Sequence, residues 1–128
     1  MEVYTIAETK NTPAIHFNFS TGHLEISGVS VHEFPLEFYE PLLQSIERYS
    51  LKPAGLTQVD VALKYFNSSS ARVFLNILKK LVWNLKGKSQ LHINWFYDKD
   101  DDDILETVED IEMLTGIKFS YIPLGGKI

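Results

Sequence analysis

No cysteine occurs among the 128 residues. Disulfides, thiolate zinc sites, iron–sulfur clusters and cysteine nucleophiles are therefore excluded, which agrees with a reducing compartment without requiring one. Positive charge is also scarce. Lys plus Arg number 12 against 17 Asp plus Glu, giving a formal charge of −5, and such a chain lacks the basic footprint of a non-specific nucleic-acid binder. Long apolar runs are missing too. Residues 1–20 include Glu2, Glu8, Asn11 and Asn18 and no signal-peptide core, and no later segment approaches the ~20 apolar residues of a membrane-spanning helix. What is present, 45% hydrophobic and 12% aromatic residues, suits one globular core. The expectation is a single cytoplasmic domain spanning 1–128, its core at about 12–124, with residues 1–11 and 125–128 as loose ends and no partner in nucleic acid or membrane.

Five segments alternate with period two, the signature of half-buried strands. Ile15, Phe17 and Phe19 alternate with polar neighbours, as do Leu24 and Ile26, with Thr21-Gly22 as the hairpin turn between them. The third sets Val59, Val61, Leu63 and Tyr65 against Asp60, Ala62, Lys64 and Phe66; the fourth sets Leu91, Ile93, Trp95 and Tyr97 against His92, Asn94 and Phe96. The last is short, Phe119 and Tyr121. Three stretches instead repeat apolar residues at steps of three and four, as amphipathic helices do. They are Phe38, Leu42, Leu43, Ile46 and Tyr49 with Pro41 in the opening turn, then Phe74 to Leu85 closed by Gly87, then Ile104, Leu105, Val108, Ile111 and Leu114 closed by Gly116. Strands alternating with helices imply parallel crossovers, and the polar face kept by every strand argues against helices on both sides. The fold class predicted is α/β, a two-layer sandwich of a mixed five-stranded sheet with three helices packed on one face.

Tyr65-Phe66-Asn67-Ser68-Ser69-Ser70-Ala71-Arg72 spans the junction from the third strand to the longest helix. A helix N-terminus presents unpaired amides and a partial positive charge. Asn or Ser there can simply cap the helix, and a phosphate, including one attached to a serine, is stabilised by the same amides. Both readings stand on the residues alone.

The chain resembles the SiaC family of bacterial regulatory phosphoproteins, whose fold is STAS-like, related to anti-sigma-factor antagonists. The resemblance rests on Thr12-Pro13-Ala14-Ile15, Leu24-Glu25-Ile26-Ser27-Gly28, Phe38-Tyr39-Glu40-Pro41-Leu42, Tyr65-Phe66-Asn67-Ser68-Ser69-Ser70, Trp95-Phe96-Tyr97-Asp98 and Glu109-Asp110, in this order. His32, Val108 and His23 depart from the residues usual at their places. The resemblance implies that Ser68, directly after the junction Asn67, is phosphorylated by a dedicated protein kinase and dephosphorylated by a PP2C-type phosphatase. It also implies that the unphosphorylated form binds and activates a diguanylate cyclase, in cyclic-di-GMP signalling that controls biofilm formation or aggregation. Ser69 and Ser70 are secondary candidates; Asn67, Ser69 and Ser70 form the phosphosite's surroundings, and Phe66, Arg72 and Phe96 are candidate partner contacts. A STAS-like anti-sigma-factor antagonist is the alternative, and a monomer or weak homodimer is expected.

Asp98-Lys99-Asp100-Asp101-Asp102-Asp103 puts five carboxylates in six positions. A small acidic metal-binding domain is the second alternative, but the sixth place of an EF-hand loop counted from Asp98 holds Asp103 rather than Gly, and acidic residues before a helix are ordinary first-turn chemistry. Of His16, His23, His32 and His92, three fall on polar strand positions, where surface roles outnumber metal ligation. No phosphate loop, nucleophile elbow or catalytic carboxylate pair is visible. The sequence therefore predicts no enzyme, no metal and no cofactor.

Overall fold

The computed structural model describes residues 2–125. Its elements run β1 (Val3–Ile6), β2 (Ala14–Asn18), β3 (His23–Ser30), α1 (Pro35–Leu51), β4 (Leu56–Phe66), α2 (Ser68–Leu85), β5 (Gln90–Asp98), α3 (Asp102–Thr115) and β6 (Ser120–Leu124). The six strands lie in one sheet in sequence order. β1, β2 and β3 pair antiparallel; β3, β4, β5 and β6 pair parallel. Each parallel pair is joined through one helix. Right-handed crossovers advancing in one direction across a sheet lay all their helices on the same face, so the order of the strands itself generates two layers.

Burial follows. Ile15, Phe17, Leu24, Ile26, Val59, Val61, Leu63, Ile93 and Trp95 point from the sheet into a core closed by Tyr39, Leu42, Ile46 and Tyr49 of α1, Phe74, Ile77, Leu78 and Leu81 of α2, and Val108 and Ile111 of α3. The opposite face carries His16, His23, Glu25, Asp60, His92 and Asn94, none of them buried.

Four expectations change. Residues 3–6 are a strand, not a loose end: Tyr4 pairs with Phe17 and Ile6 with Ile15, and Arg48 on α1 is ion-paired with Glu2, which makes the sheet six-stranded. At the other end, 126–128 lie outside the described residues. The alternation of β4 fails near its end because Gly28 pairs with Leu63 while Val29 pairs with Tyr65. Lys64 is the extra residue of a bulge, and a bulge turns the following side chains over; Phe66 points inward and Tyr65 outward. Pro35, not Pro41, occupies the first turn of α1, and Pro41 lies inside that helix. Finally, Thr115 of α3 is buried while Leu114 is 54% exposed, because Thr115 stands four residues beyond Ile111, on the same face.

Candidate functional site

The β4–α2 junction is fixed from both sides. Asn67 has an extended backbone, and its side-chain oxygen accepts a hydrogen bond from the Ser70 amide at 2.9 Å. Its own amide donates to the Ser30 carbonyl on β3 at 3.1 Å. One residue therefore caps the helix and ties it to the neighbouring strand. The amides of Ser68 and Ser69 remain without a partner in the chain among the described residues, and the first turn holds no carboxylate. That end of α2 presents free donors and a partial positive charge.

The three serines are not equivalent. Ser68 and Ser69 are exposed, whereas Ser70 has no exposed surface. Ser70 Oγ accepts a hydrogen bond from Ser30 Oγ at 2.8 Å, and Ser30 Oγ lies 2.8 Å from the Tyr39 hydroxyl. Because the single Ser30 proton goes to Ser70, Tyr39 must donate to Ser30. Burial holds the Tyr39 phenol well above its ordinary pKa, so it stays protonated and able to donate. The Ser70 hydroxyl is thus spent inside the protein and Ser68 is presented to solvent.

Sequence reasoning separates the acidic run from the junction, but the sheet brings them together. β4 and β5 are parallel, so the β4–α2 and β5–α3 junctions emerge at the same sheet edge. A cleft of about 240 Å³ there is lined by Tyr65, Phe66, Asp101, Asp103, Ile104 and Thr107. Asp101 is committed locally, capping α3 by accepting from the Ile104 amide at 3.0 Å, and Asp98 accepts from the Asp100 amide at 2.9 Å. Among the described residues, no group of three or more His, Asp or Glu side chains is arranged to hold a metal ion.

The candidate contact residues divide. Arg72 is exposed on α2, one turn from Ser68, and Phe96 is half-buried on the open sheet face. Phe66 is a correction: it is 8% exposed, and its ring packs on Phe74 and Trp95. The bulge at Lys64 is the cause, and it leaves Tyr65, 58% exposed, as the junction's surface ring.

One network was not foreseen. Asp60, central on the open face, accepts hydrogen bonds from Asn94 at 2.9 Å and from Gln58, and pairs with His23 Nε2 at 2.7 Å. The register that sets Glu25 beside Asp60 and Asp60 beside Asn94 creates it. Burial alone would raise the Asp60 pKa, but the bonds from Asn94, His23 and Gln58 outweigh it and hold the carboxyl below its usual range. A carboxylate flanked by apolar residues on a central strand was the available signal. Two other histidines serve elsewhere: His16 faces Thr5, and His32 accepts from the Phe34 amide.

Known proteins share this fold. A crystal structure of apo-SiaC from Pseudomonas aeruginosa superimposes with a TM-score of 0.85 at 25% identity, over 95% of this chain and 99% of that one. The crystal structure of the diguanylate cyclase SiaD in complex with its activator SiaC, from the same organism, matches with a TM-score of 0.86 at 25% identity, over 94% of this chain and 99% of that one. An uncharacterized protein of Pseudomonas aeruginosa (strain UCBPP-PA14) is 28% identical over 105 residues, 82% of this chain and 83% of its own. The sequence model described as SiaC family regulatory phosphoprotein matches residues 6–124, which takes in every helix, β2 to β6 and the last residue of β1. With the junction serine exposed on the same scaffold, the chain belongs to the SiaC family of regulatory phosphoproteins.

Proposed function

We propose that this chain is a phosphorylation-controlled partner switch rather than an enzyme: unphosphorylated, it binds and activates a diguanylate cyclase, and phosphate on Ser68 releases that partner. The observation that carries the reading is the sorting of the serines, with Ser68 exposed beside unpartnered amides and Ser70 consumed by Ser30. A dedicated protein kinase transfers the γ-phosphoryl group of a nucleoside triphosphate to Ser68 Oγ, which loses its proton as the diphosphate leaves. A PP2C-type phosphatase reverses the change: water attacks the phosphorus, the phosphorus–oxygen bond to serine breaks, and Ser68 recovers its proton as inorganic phosphate departs. Such chemistry belongs in the cytoplasm, where the nucleotide is.

The added group brings a charge of about −1.5 to −2 and three acceptor oxygens. At the α2 N-terminus it meets free amides and the favourable end of the helix dipole, so the fold tolerates it. Its effect falls on whatever docks there. The likeness to a SiaC that activates SiaD favours a cyclase over an anti-sigma factor as that partner.

The test incubates the chain with the kinase and a nucleoside triphosphate, reads phosphate by intact mass, and measures cyclase binding before and after. One phosphate on the wild type, none on Ser68→Ala, and loss of the cyclase on phosphorylation are expected. Undiminished phosphate on Ser68→Ala would remove Ser68 from the reading.

A further inference from the structure

Charge is distributed unevenly over the helix layer. Between Lys64 and Tyr97 the chain carries Lys64, Arg72, Lys79, Lys80, Lys86 and Lys88 and not one carboxylate. α3, by contrast, carries Asp102, Asp103, Glu106, Glu109, Asp110 and Glu112 and no cation, and α1 carries Glu37, Glu40 and Glu47 against Arg48 alone. α2 packs against both. A basic helix therefore lies between two acidic ones in a protein of net charge −5.

Five exposed residues of α2, with Lys86 at its C-cap, fall on one line. Ser68, Arg72, Asn76, Lys79, Trp83 and Lys86 follow each other at steps of four, four, three, four and three, and all are exposed, which is a single outward helix face about 27 Å long at 1.5 Å per residue. Lys80, off this line, is ion-paired with Glu47. Arg72, Lys79 and Lys86 form no ion pair among the described residues. Trp83 is 78% exposed. A solvent-facing indole between free cations has no packing role in the chain, and Trp and Arg are the residue types most often found anchoring protein interfaces.

Resting on the cyclase-switch reading above, we infer that this ridge is where the cyclase docks, and that the segment seated on it is a helix bearing carboxylates along one face and an apolar side chain against Trp83. The width of the ridge selects that occupant. A nucleic-acid duplex or an anionic membrane would press on α1 and α3 as well, where their carboxylates repel it; only a partner one helix wide meets the cations without meeting those acids.

The position of Ser68 then acquires a purpose. It stands one helical turn before Arg72, the spacing at which side chains meet, so a phosphate there pairs with Arg72 by charge-assisted hydrogen bonds. The ridge holds +3 from Arg72, Lys79 and Lys86; adding about −1.5 to −2 leaves roughly +1 to +1.5. Phosphorylation would halve the attraction and occupy the cation nearest the switch, with no movement of the backbone.

The experiment titrates purified diguanylate cyclases from the same genome against the full chain, its form phosphorylated on Ser68, the triple variant Arg72→Glu, Lys79→Glu, Lys86→Glu, and Trp83→Ala, with circular-dichroism melts showing that each is folded. Expected is a loss of roughly tenfold or more in affinity for the triple variant and for Trp83→Ala, and wild-type binding that weakens with added salt more than that of the triple variant. Binding abolished by phosphate but unchanged in the triple and Trp83 variants overturns the ridge and leaves the switch standing. Binding lost in those variants but insensitive to phosphate overturns the switch and leaves the ridge. Absence of binding to any cyclase overturns both.

Discussion

Ser30 of β3 donates a hydrogen bond to Ser70 in the first turn of α2 across 2.8 Å, with no solvent access to either residue. Together with the bond from the Asn67 amide to the Ser30 carbonyl, this contact anchors α2 laterally to the strand beside the one it grows from, and so fixes where the exposed serine stands. Replacing Ser30 with alanine leaves the buried Tyr39 and Ser70 hydroxyls short of a partner. The expected loss is ~1–3 kcal/mol, the penalty of stranding buried polar groups. Tyr39→Phe in the Ser30→Ala background should cost less than Tyr39→Phe alone, since its partner is already gone. Urea unfolding of the single and double variants measures this coupling, and full additivity would deny the chain of bonds.

The same burial separates the serines chemically. In a kinase reaction, Ser70→Ala should accept phosphate at Ser68 as wild type does, at some cost in stability, while Ser68→Ala should accept none. Phosphopeptide mapping decides it. Phosphate on Ser70 in the folded protein would require the first turn of α2 to open, because its oxygen is fully covered.

Much of this was legible in the residues. The periods of most strands and of the helices, and the place of the junction, followed from spacing and side-chain chemistry; which of Asn67 and the serines caps the helix did not. What failed did so for particular reasons. β1 escaped because its core-facing residues, Tyr4 and Ile6, are only half-buried at an edge, so its alternation carries little contrast. The exchange of Tyr65 and Phe66 depends on a bulge opposite Gly28, and a bulge is a property of two paired strands that neither sequence announces. The meeting of the acidic run with the junction depends on strand order, which no local pattern encodes. The ridge on α2 was present in the sequence as a stretch without carboxylates, but its meaning required knowing that both neighbouring helices are acidic.

Asp60 should leave a mark on the acid limb of stability. Its folded pKa lies below the ordinary value of 3.8, so its ionised form is favoured by folding. That contribution is complete above pH ~4 and disappears as pH falls through the folded pKa. Asp60→Asn should therefore be less stable than wild type at neutral pH, with the gap closing in acid. Thermal melts across the acid range read it, and a gap that widened as pH fell would contradict the assignment.

The two tryptophans report on opposite environments: Trp95 is 1% exposed and stacked on Phe119, while Trp83 is 78% exposed. Acrylamide should quench wild-type fluorescence in two components, and Trp83→Phe should remove the accessible, red-shifted one. A cyclase that covers the α2 ridge should protect that component alone. Unprotected Trp83 in a saturated complex would place the contact elsewhere.

Gly22 offers the sharpest backbone test. It turns the β2–β3 hairpin at φ +70°, and a Cβ there would lie 2.6 Å from both the Leu56 carbonyl oxygen and the Tyr49 hydroxyl. That hydroxyl is already engaged, 2.7 Å from Thr57 Oγ1 and accepting from the Ala54 amide at 3.1 Å. Gly22→Ala must strain a left-handed residue and also push aside a buried tyrosine that joins α1 to β4. Gly87 separates the two effects: its φ is +77°, yet nothing lies within 4 Å of a Cβ built on it. Gly87→Ala should cost only the left-handed strain, ~1–2 kcal/mol, and Gly22→Ala distinctly more, in the range of ~2–4 kcal/mol reached when overpacking is added to strain. Denaturant unfolding of the two variants compares them directly. Equal losses would mean that Tyr49 yields freely, and that its hydroxyl network adds little to the hold of α1 on the sheet.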